Sequence, residues 1–135
     1  MSGFLDTSLI VRYLTGHPPE TAADAAEIID QTNDLQVSDV ALIETAYVLS
    51  SRYQVPREAI VDLLAALVRK ENISTFALDK VLVLRGLLMC RPSARVSFAD
   101  AMIWAAARSS NAKLVYSFDR RFPKDGIEVR QTVPH

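Results

Sequence analysis

Short apolar runs, each followed by a helical pattern, set the architecture open to this chain. The first pair is the clearest: Phe4 and Leu5 end a brief strand, and Leu9, Ile10, Tyr13 and Leu14 then fall at helical spacing on one face. Asp6 stands at the changeover. The runs Leu35-Gln36-Val37, Ile73-Ser74-Thr75-Phe76, Lys113-Leu114-Val115-Tyr116 and Ile127-Glu128-Val129 repeat the strand signal. Helical patterns fill the intervals: residues 20–31 after Pro18-Pro19, 38 to about 53 behind the cap Ser38, and a stripe of Ile60, Leu63, Leu64, Leu67 and Val68 after Pro56. Two more run over 78–90 and 97–110, the last stopped near Asn111. This alternation predicts an α/β fold. We expect a single domain over residues 1–135, with a parallel central sheet of about four to five short strands flanked by helices on both sides.

Composition narrows the class. Half of the 135 residues are apolar and 23% are charged, which is globular rather than disordered, and a chain of this length buries a core without staples. The single cysteine, Cys90, has no partner for an internal disulfide and is expected to pack at the end of an apolar helix. With no charged-then-apolar leader and no apolar stretch of spanning length, we expect a cytoplasmic protein with no membrane partner. Charge is uneven along the chain. Residues 1–70 hold 5 Lys+Arg against 10 Asp+Glu, while residues 71–135 hold 10 against 6. The second half can therefore offer an anionic partner a basic surface, with Arg91, Arg95, Arg120 and Arg121 prominent.

Four acids call for explanation. Asp6 and Asp119 each follow a strand, where open α/β sheets bind ligands, although an N-cap and a turn would account for them singly. Glu44 lies within Val40-Ala41-Leu42-Ile43-Glu44-Thr45-Ala46-Tyr47-Val48, where its helical neighbours are apolar or aromatic. A carboxylate on a buried face needs a partner or an escape to the surface. Asp100 sits in Ser97-Phe98-Ala99-Asp100, a spacing that also makes a capping box. All four can converge on one crevice at the sheet's carboxyl edge. There they would repel, at least one carboxyl would be raised in pKa, and no Lys or Arg adjoins Asp6, Glu44 or Asp100 in sequence. A divalent cation resolves the conflict. Oxygen donors alone favour Mg²⁺ or Mn²⁺ over zinc, and neither His17 nor His135 is expected to be a ligand.

Taken in order, Leu5-Asp6-Thr7-Ser8, the mid-helix Glu44, Phe98-Ala99-Asp100-Ala101-Met102-Ile103 and Ser117-Phe118-Asp119-Arg120-Arg121-Phe122 resemble the acidic motifs of PIN-domain ribonucleases. Within them the chain is most similar to VapC-type toxins of toxin–antitoxin systems. The resemblance implies a metal site of Asp6, Glu44, Asp100 and Asp119, with supporting hydroxyls from Thr7, Ser8 and Ser117. It departs from the family at Ser117, usually Thr, and at Arg121, where another acid often stands. It further implies metal-dependent hydrolysis of RNA, a homodimer, and a small cognate antitoxin covering the crevice. A non-toxin PIN-like module that binds or processes RNA without strong catalysis is the alternative. A phosphoacceptor receiver would need a carboxylate ending a middle strand, where Ile73-Ser74-Thr75-Phe76 has none. A haloacid-dehalogenase-like phosphatase would need Asp where Ser8 stands.

Overall fold

The computed structural model describes residues 2–133; His135 lies outside them. In chain order the elements are β1 (Ser2–Phe4), α1 (Thr7–Thr15), α2 (Pro19–Gln31), β2 (Asp34–Val37), α3 (Asp39–Ser51) and α4 (Arg57–Arg69). There follow β3 (Ile73–Thr75), α5 (Lys80–Met89), α6 (Phe98–Ser109), β4 (Leu114–Tyr116) and β5 (Glu128–Arg130). Helix starts follow local chemistry. Asp6, Ser38, Asp79 and Ser97 each accept an amide of the first turn through the side chain, and α2 opens on a proline that has no amide to satisfy. At its other end α1 stops at Gly16, whose φ of 70° suits a residue without Cβ.

All strand pairings are parallel, and the alternation has produced an α/β fold with five strands among the described residues. The sheet, however, comes in two pieces. One has the order β1-β2-β3, with Gly3 opposite Leu35 and Leu35 opposite Ile73; the other pairs β4 with β5. No ladder joins β1 to β4 among the described residues. The three-stranded sheet turns Leu35, Val37 and Ile73 into the core. Its other face exposes Phe4, Ser74 and Phe76, the two rings meeting edge-on at 5.2 Å, so the expected helical cover does not reach them.

The core runs from the sheet through α3, α4, α5 and α6, with Leu42, Leu49, Leu64, Leu87 and Trp104 fully buried. Gly86 lets α5 and α6 approach so closely that a Cβ there would stand 3.0 Å from the Ala101 carbonyl oxygen. Asp100 is thereby held by a tight helix pair. Cys90 is buried as expected, and desolvation pushes its thiol up to about 11. The Trp104 indole N–H donates to the Asp125 carbonyl at 2.8 Å, fastening the segment after β4 to α6.

Candidate active site

Asp6 is placed by the strand-to-helix corner. The Leu5 amide donates to the Gln36 carbonyl at 2.9 Å, which prolongs the sheet to the residue before the acid. Asp6 then caps α1: Ser8 donates to Oδ2 through its hydroxyl at 2.7 Å and through its amide at 3.3 Å. These bonds favour the charged form, the Ser8 hydroxyl most, so the carboxyl lies below its ordinary value. Repulsion would raise it, and at Asp6 the bonds from Ser8 outweigh any such effect. An ionised carboxylate offers about four lone-pair sites, and Ser8 takes two. Capping and ligand binding are therefore compatible here.

Glu44 faces Asp6 across the groove between α1 and α3. Both line a cavity of about 350 Å³. The apolar surroundings of Glu44 do not bury it: Val40 is 68% and Tyr47 70% exposed, and Glu44 itself is exposed. Helix α3 is apolar almost all round, so its sequence gave no sign of which side turns outward. The same cavity holds Thr7, Ser8, Arg12, His17 and Arg52. Two guanidiniums thus stand near carboxylates that have no basic neighbour in sequence.

Asp100 is carried by α6 and Asp119 by the turn after β4. Ser97 accepts the Asp100 amide at 3.0 Å, which is one half of the capping box, and the Asp100 carboxylate is half-buried, close enough to Cys90 to oppose its ionisation. Asp119 closes a turn after β4: its amide donates to Ser117 Oγ at 3.0 Å, and its Oδ1 accepts the Arg121 amide at 2.8 Å. Neither acid lines the Asp6–Glu44 cavity. Because no ladder joins β1 to β4 among the described residues, the strands that precede Asp6 and Asp119 are not hydrogen-bonded neighbours. Among the described residues no three His, Cys, Asp or Glu side chains are arranged to hold a metal ion. What the cavity offers is two carboxylates with hydroxyls beside them. That donor set fits Mg²⁺ or Mn²⁺, since Mg²⁺ is usually bound by one or two carboxylates together with substrate phosphates.

The basic residues divide. Arg91 is clamped on Asp62 by two bonds of 2.9 and 3.0 Å, which offsets its charge. Arg95, Arg120 and Arg121 line one cavity of about 530 Å³ together with Lys124. Asp125, the acid in that wall, is already paired with Arg85 and Arg108. Sequence reasoning missed Arg12, Arg52 and Tyr53 as cavity residues. Their signal was the four-residue spacing of Ser8 with Arg12, and of Glu44, Val48 and Arg52, which puts each set on one helix face.

The PIN domain family matches residues 3–126, and the chain belongs to it. No curated protein matches the chain. PIN domains are generally metal-dependent nucleases, and no described helix here is long and apolar enough to cross a membrane.

Proposed function

We propose that this PIN domain is a Mg²⁺- or Mn²⁺-dependent ribonuclease that hydrolyses phosphodiester bonds in RNA, and that it is the toxin of a toxin–antitoxin pair. The observation that carries the reading is the pair Asp6 and Glu44 in one cavity at the carboxyl edge of a parallel sheet. Asp6, kept ionised by Ser8, would hold the ion, and on the motif resemblance Asp100 and Asp119 would complete the set, with Thr7 and Ser117 as hydroxyl support. A bound ion of this kind stabilises charge on phosphoryl and leaving oxygens and lowers the pKa of water. Glu44, exposed and facing the groove, orients the attacking water and accepts its proton.

The cavity of Arg95, Arg120, Arg121 and Lys124 supports RNA as the substrate, because it concentrates positive charge while the acid in its wall, Asp125, is paired with Arg85 and Arg108. Toxin function and a cognate antitoxin rest on the motif resemblance. For the homodimer there is further support in Val40 and Tyr47, exposed two turns apart on α3. The second reading, an RNA-binding module without strong catalysis, is favoured by the absence of a three-ligand group among the described residues. One experiment separates them. Purified protein is incubated with cellular RNA in Mg²⁺ and in EDTA, and the ends are mapped. Discrete cuts in Mg²⁺ alone support the nuclease; binding without cuts in either condition supports the module.

A further inference from the structure

The groove between α1 and α3 is lined by Asp6 and Glu44 together with Arg12 and Arg52, and along α3 Arg52 lies two turns beyond Glu44. On α3 the separation is eight residues, about 12 Å at 1.5 Å per residue. Cations placed merely to neutralise the acids would pair with them. Instead, neither Arg12 nor Arg52 makes a salt bridge among the described residues.

The two guanidiniums also differ in freedom. Arg12 is fixed, its Nε donating to Thr21 Oγ1 at 3.1 Å and its Nη1 to the Ser8 carbonyl at 3.1 Å. Arg52, at the C-cap of α3, is exposed and donates no side-chain hydrogen bond among the described residues. Beside it in the same wall stands Tyr53, 42% exposed. A ligand that meets a free guanidinium and an aromatic ring beside two carboxylates that could hold an ion is a chain of alternating phosphates and bases. The cavity volume of about 350 Å³ lies at the small end of ligand sites, which run from about 300 to 1,000 Å³. It suits one unstacked nucleotide rather than a duplex.

We propose that Arg52 and Tyr53 form the subsite for the nucleotide next to the cleaved bond. Arg52 grips the flanking phosphodiester, Tyr53 takes the base by stacking, and Arg12 supplies a fixed positive wall. The position of the cleaved bond rests on the nuclease reading; the grip on a single strand does not.

The test measures binding where cleavage is off. A fluorescently labelled, single-stranded RNA oligonucleotide is titrated with wild-type protein in EDTA over a range of salt, and with Arg52→Gln, Arg52→Lys, Tyr53→Ala and Arg69→Gln. Arg69→Gln removes the same charge from the last turn of α4, outside the groove. Arg52→Gln is expected to weaken binding roughly tenfold and to lower the salt slope by about 0.7, the loss of one single-strand phosphate contact. Arg52→Lys recovers part of the loss, Tyr53→Ala loses several-fold, and Arg69→Gln stays near wild type. Equal binding by Arg52→Gln and Arg69→Gln would overturn the subsite. In Mg²⁺, a neutral methylphosphonate beside the cut should slow wild type and leave Arg52→Gln no slower than it already is; full additivity would contradict the phosphate assignment. Wild-type protein that binds as described yet cuts nothing would remove the nuclease and keep the subsite.

Discussion

Thr45 offers a sharp test of the packing behind the site. It stands next to Glu44 on α3, is 0% exposed, and its Oγ1 has no hydrogen-bond partner among the described residues. An orphaned buried hydroxyl costs about 1–3 kcal/mol. Thr45→Val keeps the branched shape, removes that cost and adds roughly 0.8 kcal/mol of apolar burial, with little change in helix propensity. Discounting for imperfect fit of the extra methyl, we expect a gain of about 1–2 kcal/mol, a rise in Tm of roughly 4–8 °C for a chain this size. Thr45→Ser keeps the hydroxyl and loses the methyl, and should cost about 1 kcal/mol. Urea unfolding of the three proteins checks the order Val, Thr, Ser at unchanged m-value. A Val variant less stable than wild type would mean that the hydroxyl is bonded, and would refute the reasoning.

Two further outcomes follow from charge. Replacing Arg95, Arg120, Arg121 and Lys124 together with Gln should flatten the salt dependence of RNA binding by about 3 in log–log slope, while Arg91→Gln, its partner being Asp62, changes it little; filter binding at several salt concentrations decides, and an unchanged slope places the RNA elsewhere. The Cys90 thiol, raised from 9.0 to about 11 by burial, keeps its proton in the folded protein after the unfolded chain has lost it. Its contribution is therefore present below pH 9 and lost as pH rises from there towards 11, at up to about 1.4 kcal/mol per pH unit. Stability of wild type minus Cys90→Ala, measured by denaturant from pH 7 to 10, should fall above pH 9; a flat difference would show that the thiol is not desolvated.

Local chemistry was legible in the sequence, and long-range closure was not. Ser38, Ser97 and the Pro18-Pro19 start fall where side-chain chemistry puts them, because a cap depends only on its next three residues. Asp6 stood out at a strand–helix junction, and it sits there. The outward turn of Glu44 was hidden, since a helix carrying Val40, Leu42, Ile43 and Tyr47 shows no preferred face until its partners are known. The break between β1 and β4 depends on pairing across more than a hundred residues of chain, beyond the reach of any local pattern. Arg91 looked free for the same reason. Its partner, Asp62, lies 29 residues away on α4.

The most direct measurement is single-turnover cleavage of RNA in Mg²⁺ by wild type, Asp6→Asn, Glu44→Gln, Asp100→Asn and Asp119→Asn, each first shown to be folded by circular dichroism. If these carboxylates form one metal-dependent centre, Asp6→Asn and Asp100→Asn should fall to the rate that wild type shows in EDTA, a loss of at least about a hundredfold, and Glu44→Gln and Asp119→Asn should be slowed. Wild-type rates from a folded Asp6→Asn or Asp100→Asn protein would contradict the metal-dependent centre and, at Asp6, leave only the capping role that its bonds from Ser8 already give it.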